Sequence, residues 1–400
     1  MVPPEGDPDH LSFGDDGASA AGEDTEEDDP SSSEDATAGR DATRETAGGV
    51  EVVRARLTTE PGHRWVRGLR RLKRGIGRVE WSRQGQQIAY DKVTDLGYRG
   101  LYVGRADDDL ERCLTCEEWD FRKSHVLSPT WHPSGRFLVA TVQGPAKRLG
   151  QGTAELATPA RGLHTELWAF AIDGRDAWAL TRVTSQGGAV LDPAFSFEGG
   201  RLAWSERVDT TRGGHWGDWV VRVADFEIRR GLPRIGDVQT FDGPPWPGLV
   251  MIEGFTENDR GLWLTTSPRP GSQRRGRAVG MLDLDSGSFT PVPTPGQWDE
   301  GMTGVPRGER RVWLSDRDID PGVRLNRRTD LWVTSPTGRL MERLTYLNDA
   351  RSSDSLGEAY IADTSWSPDG RHLLLQVITA GPSGILEDLY VLDLSAELAP

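Results

Sequence analysis

Trp366-Ser367-Pro368-Asp369-Gly370, in the last sixth of the chain, is the best formed of six related pentads. Degenerate copies stand upstream as Trp81-Ser82-Arg83-Gln84-Gly85, Trp131-His132-Pro133-Ser134-Gly135 and Phe195-Ser196-Phe197-Glu198-Gly199. Two weaker ones are Phe255-Thr256-Glu257-Asn258-Asp259 and Val305-Pro306-Arg307-Gly308-Glu309. Successive copies lie 50 to 64 residues apart. The first residue, usually aromatic, ends one strand, and the polar or glycine pair makes a tight turn into a second, apolar strand such as Phe137-Leu138-Val139-Ala140. Six units of this period with all-β content read as a six-bladed β-propeller.

A third strand recurs as Leu101-Tyr102-Val103, Leu167-Trp168-Ala169-Phe170, Leu331-Trp332-Val333 and Leu389-Tyr390-Val391-Leu392. Five units then carry a fourth strand ending in Leu114-Thr115, Leu180-Thr181, Gln239-Thr240, Phe289-Thr290 or Leu344-Thr345. The sixth has none, which would leave an open sheet edge. Val50 to Thr59 alternates, is β-branched and ends in Leu57-Thr58-Thr59, so the expectation is that this N-terminal strand closes the last blade.

The pentads resemble those of the six-bladed propeller domain of the TolB family, over roughly residues 50 to 397. The resemblance implies fold far more than activity. Family propellers serve mostly as protein-binding platforms, although some relatives join them to hydrolase or lyase chemistry, and the separate α/β domain that precedes the TolB propeller has no counterpart here.

The net charge of −15 suggests a basic partner until it is divided along the chain. Residues 1 to 50 hold 15 acidic and 2 basic residues, leaving 47 acidic and 45 basic in the rest. Residues 1–49 read as a disordered acidic tail, because so few large apolar residues cannot offset the entropy of ordering. The propeller domain is then 50–400, nearly neutral and expected to be monomeric. Scattered basic residues argue against nucleic acid, with one cationic run between Arg64 and Arg78 as a place where the tail could dock. No run of 18 apolar residues or signal peptide is present, which taken literally reads as cytoplasmic. An acidic, flexible segment ahead of such a propeller is also what a removed signal or anchor leaves behind, and the expectation leans to the cell envelope, periplasmic or extracellular.

Cys113-Leu114-Thr115-Cys116 is the only cysteine pair. Glu117 in place of histidine excludes haem attachment, and a zinc site would need two further ligands, with His125 and His132 the nearest candidates. Residues three apart point to opposite faces of a strand, so two free or packed thiols are favoured over a local disulfide. Trp81, Trp131, Trp168, Trp332 and Trp366 fit inter-blade core better than a sugar platform, whereas Trp216, Trp246 and Trp298 fall off the repeat and are the aromatics left for a ligand. There is no Gly-x-Ser-x-Gly elbow, and the seven histidines share no blade position, so catalysis has little support.

One face carries the longer loops, expected at 143–165, 207–218, 265–277, 315–329 and 378–387. On that face, Arg78, Ser128, Asp192, Glu253, Asp299 with Glu300, and Asp363 precede the first strands around the axis. Their carboxylates could attract a basic peptide or a divalent cation at the channel mouth, or could bond backbone amides of neighbouring blades. The function expected is a non-enzymatic module binding a protein or peptide, with no cofactor. The alternative is a lyase or hydrolase-like propeller enzyme using a divalent cation at the axial carboxylates.

Overall fold

The computed structural model describes residues 64–398 apart from 86, 109, 118–120, 144–163, 210–217, 243–247, 268–276, 295, 320–326, 336–339, 383 and 397, together with the backbone of two strands, Thr43–Ala47 and Val50–Arg54. Residues 1–42, Trp216, Trp246 and most of the long-loop residues lie outside this set.

Six antiparallel four-stranded units make up the ring. Their first strands are Ile76–Trp81, Val126–Trp131, Ala189–Phe195, Val250–Phe255, Asp299–Gly304 and Ala359–Trp366, in blades one to six. Each packs on the first strand of the next blade, and the sixth on the first, so these strands surround the axis. One hydrophobic cluster fills each junction between neighbouring blades. Trp131 and Trp332 are fully buried in these clusters, and Trp81, Trp168 and Trp366 pack half-buried against them. The repeated tryptophans are inter-blade core.

The recurring residues have local jobs. In the best-formed pentad the Gly370 amide donates to the Ser367 carbonyl at 2.9 Å, with Gly370 at φ 70°, while Ser367 Oγ accepts from the His372 amide at 2.9 Å. The same amide-to-carbonyl closure places Gly308, not Glu309, at the fifth position in blade five, since its amide donates to the Val305 carbonyl at 3.0 Å. That pentad is therefore Gly304 to Gly308, one residue earlier than the sequence suggested, and glycine replaces its aromatic. The Leu-Thr endings also have a cause. Thr115, Thr181 and Thr345 each accept, through Oγ1, the amide of the leucine that opens or lies in the third strand (Leu101, Leu167, Leu331) at 2.9 Å.

The ring is closed by an N-terminal strand in the last blade, but by Val66–Arg74, not Val50–Thr59. Val66–Arg74 pairs antiparallel with Gly384–Leu394, with Leu69 opposite Leu392. Gly75, at φ 69°, then turns the chain straight into Ile76 of blade one. This proximity decides the outcome, because the closing strand must feed blade one directly. Val50–Arg54 instead runs parallel to Leu340–Arg343 on the outer side of blade five and pairs with Thr43–Ala47, so the boundary expected at residue 49 falls between these two strands. The expected loop 378–387 is also corrected: His372–Gly381 and Gly384–Leu394 continue as one long hairpin.

Cys113 and Cys116 form a disulfide, with Cα atoms 5.6 Å apart, which overturns the expectation of free thiols. Cys113 is the last residue of the strand Glu111–Cys113, and the chain bends at 114–117, so the opposite-face rule for strands stops applying there. His125 and His132 serve elsewhere: His125 Nδ1 accepts from the Arg99 amide, and His132 packs edge-on to Phe195.

Candidate functional site

Every first strand contains one extra residue relative to its partner, within the five residues before its pentad. The pairing shifts between Ile76 and Val79, Leu127 and Thr130, Leu191 and Ala194, Ile252 and Gly254, Glu300 and Thr303, and Ile361 and Asp363. Such bulges re-aim the side chains they carry. Ser128 and Asp192, at φ 49° and 47°, each precede a proline inside the bulge. The six bulges place Arg78, Ser128, Asp192, Glu253, Gly301 and Asp363 around one axial cavity of about 560 Å³.

The cavity runs from this ring toward the pentad turns. Its other walls are residues between the ring and the turns, including Glu80, Phe195, Phe255, Trp263, Gly304, Ser365 and Trp366, with Arg83, Phe197, Glu257 and Arg307 on the turn side. The predicted ring residues therefore lie mid-channel, and the cavity they line extends, among the described residues, toward the turn face. Counting back from the pentads would have shown this: Arg78, Ser128, Asp192 and Asp363 each stand three residues before an aromatic, too close to the turn to be strand starts.

Asp299 and Glu300 are not part of the cavity. Asp299 is buried and accepts from Trp313 Nε1 at 3.2 Å; burial pushes its carboxyl up to about 6 against hydrogen bonds from Ser315, Thr294 and Trp313. Glu300 is buried between Arg277 and Tyr360, accepting from the Tyr360 hydroxyl at 2.5 Å. Trp298 lies under the guanidinium groups of Arg277 and Arg327, at 4.4 and 3.4 Å, so this aromatic already has cationic partners within the chain.

The ring holds three carboxylates against one guanidinium. Arg78 lies 3.7 Å from Asp192 and 3.6 Å from Asp363, and both acids, with Glu253, favour its charged form although burial opposes it. Asp363 is tied to backbone: Oδ2 accepts from the Val79 amide of the next blade and Oδ1 from Thr364, each at 3.0 Å. Glu80, which sequence reasoning missed, makes an equivalent inter-blade bond, accepting from the Trp131 amide at 2.9 Å. Ser365 Oγ accepts from the Trp81 amide at 2.8 Å. Asp91 supports the ring from behind, accepting from the Arg78 amide at 3.0 Å beside Gly77, where a Cβ would sit 2.0 Å from the Asp91 carboxylate. Several carboxylates are thus structural acceptors.

Asp192 is different. It is 7% exposed, and its Oδ2 has no hydrogen-bond partner among the described residues.

Confinement raises the acids of this region. Burial pushes Glu253 up to about 7, only partly offset by the Thr265 hydroxyl and Arg78, and raises Asp192 despite Arg78 and Arg277. Glu80 rises to about 7 and Asp363 to about 6 for the same leading reason. A mid-channel ring is shielded from bulk water in a way that a channel mouth is not. A divalent cation fits poorly. Arg78 already supplies a positive charge to the ring, and among the described residues no group of three or more His, Cys, Asp or Glu side chains could hold a metal ion.

No family model and no curated protein sequence matches the chain. Solved structures with a similar arrangement include TolB from Acinetobacter baumannii, at 13% identity and a TM-score of 0.48 over 77% of this chain. The chain spans 63% of the length of that protein. A putative TolB from Agrobacterium tumefaciens is 13% identical with a TM-score of 0.45, over 80% of this chain and 90% of that one. An oligogalacturonate lyase in complex with manganese is 12% identical with a TM-score of 0.44, over 90% and 97%. At these identities the likeness is one of fold. The chain is a six-bladed β-propeller, similar in architecture to the TolB structures.

Proposed function

We propose that the protein is a non-enzymatic, monomeric binding module of the cell envelope, whose axial cavity receives part of a protein or peptide partner through the turn face. One observation carries this reading: a cavity of about 560 Å³ lined by Asp192, a buried residue whose Oδ2 has no hydrogen-bond partner among the described residues. An unpaired buried acceptor costs about 1–3 kcal/mol, a cost that a donor entering the cavity beside Asp192 would offset. The Cys113–Cys116 disulfide fits an oxidising compartment. No described helix is long and apolar enough to cross a membrane. The enzyme alternative has no comparable observation in its favour.

Gly304→Trp tests the reading. Gly304 lines the cavity, a Cβ built on it meets nothing within 4 Å, and the substitution restores the aromatic that blade five lacks. Partner capture should be lost in this variant while circular dichroism and melting temperature stay those of the wild type. Unchanged capture by a folded Gly304→Trp protein would move the binding site off the axis.

A further inference from the structure

The floor of the axial cavity joins charge and wall chemistry in a way that selects a ligand class. Asp192, Glu253 and Asp363 share one guanidinium of the ring, Arg78, whose contacts to Asp192 and Asp363 at 3.7 and 3.6 Å are longer than hydrogen bonds, and Arg277 acts on Asp192 from outside the ring. Asp363 is committed to two backbone amides, so the unsatisfied acceptor capacity concentrates on Asp192 Oδ2. Above this acidic floor the wall is aromatic: Phe195, Phe255, Trp263 and Trp366. At the turn side Arg83 is pinned, its guanidinium 4.5 Å over the Phe197 ring and donating to the Phe195 carbonyl at 3.3 Å, so it does not reach down to neutralise the floor.

A ligand that matches needs a positively charged donor at the tip of an apolar stem. A divalent ion offers no hydrogen-bond donor and meets Arg78, whereas a neutral apolar side chain brings no donor for Asp192 Oδ2. Lysine and arginine side chains have both parts, and their stems can also present cations to aromatic faces. We propose that the axial cavity binds a single lysine or arginine side chain presented by an exposed peptide segment, with Asp192 and Glu253 as the acceptors. This rests on the peptide-binding reading above and adds the chemistry of what enters.

Glu253 gives the site a pH signature. Its carboxylate faces Arg78 from blade one, Asp192 from blade three, Glu300 from blade five and the Thr265 hydroxyl of its own blade. With its titration at about 7, it is mainly ionised at pH 8 and mainly protonated at pH 6. Binding of a cation favours the ionised form, so affinity falls as pH falls through this range.

The test uses the full chain and three blocked tripeptides, acetyl-Gly-X-Gly-amide with X lysine, arginine or norleucine, titrated by calorimetry in the presence of a chelator. Trp81, Trp263 and Trp366 line the cavity and give a parallel fluorescence signal. A basic tripeptide should bind at least about tenfold more tightly than the norleucine one, the equivalent of about 1.4 kcal/mol. Asp192→Asn should remove that advantage without weakening the norleucine peptide, and Glu253→Gln should flatten the loss of affinity between pH 8 and pH 6. If Asp192→Asn does not fold, the wild-type preference and the Glu253→Gln pH profile still decide the matter. Equal binding of norleucine, or no binding of any of the three, overturns the proposal. If Gly304→Trp nevertheless abolishes partner capture, the peptide-binding reading survives and only the basic side chain is wrong; if capture persists in that variant, the cavity reading itself falls.

Discussion

Trp65→Ala should loosen the closure of the ring more than any other single truncation outside the repeats. Trp65 immediately precedes the closing strand, is 4% exposed, and sits in the cluster between blades five and six with Val305, Leu344, Leu392, Leu394 and Leu398. Its carbonyl accepts from the Ser395 amide at 2.8 Å, and the guanidinium groups of Arg64 and Arg310 lie 3.9 and 4.7 Å from the ring centroid. Removing a buried tryptophan costs about 3–5 kcal/mol, and each partly exposed cation stacked on it adds about 0.5–1 kcal/mol. A loss of about 5 kcal/mol is a third or more of the stability of a typical domain. With a urea dependence of about 3 kcal/mol per molar for a chain of this size, the unfolding midpoint should fall by roughly 1.5–2 M. Arg70→Glu, an exposed change on the same strand, should move it hardly at all. A fall for Trp65→Ala of less than about 0.3 M would correspond to under about 1 kcal/mol and would refute the view that the ring is clamped at this seam.

Acids raised by burial make stability depend on pH. Glu80 and Glu253 at about 7, and Asp363 and Asp299 at about 6, hold protons more tightly folded than unfolded, so the folded state binds more protons between about pH 4.5 and 7. Stability should therefore fall as pH rises through that window, with a higher melting temperature at pH 5 than at pH 8, and Glu80→Gln should raise the pH 8 value more than the pH 5 value in scanning fluorimetry. The Cys113–Cys116 disulfide closes so short a loop that its reduction, or Cys113→Ser with Cys116→Ser, should show in the melting curve as a loss of no more than about 2 kcal/mol. Tyr360→Phe strips Glu300 of a buried donor and should cost about 1–3 kcal/mol in chemical denaturation, while the basic tripeptide keeps its advantage over norleucine at pH 8 because neither group lines the cavity.

The blades were legible because their markers are enforced locally. A turn such as Ser367 to Gly370 needs its glycine and its serine wherever the blade sits, and the Thr115, Thr181 and Thr345 hydroxyls each satisfy one amide of their own blade. The closing strand carried no such mark. Val66–Arg74 lies on the rim with both faces partly solvated, so no alternation of apolar and polar residues was required, and Val50 to Thr59 looked the better strand. Glycine in place of the aromatic at Gly304 hid the fifth pentad by one residue. At the site, the identity of five ring residues could be read from their spacing to the turns, but the bulges that turn them inward are a property of pairing between strands, and the inter-blade role of Glu80 depends on a partner, Trp131, 51 residues away.

The two strands that complete blade six stand at opposite ends of the ring's sequence, Leu69 opposite Leu392. In vectorial synthesis the first ring strand to be made has its partner, Gly384–Leu394, made only after the strands of the other five blades. An apolar, alternating strand in that position would be an invitation to pair with another nascent chain. Arg67, Arg70, Arg71, Lys73 and Arg74 make Val66–Arg74 a self-repelling segment instead, kept available by its own charge until Gly384–Leu394 appears.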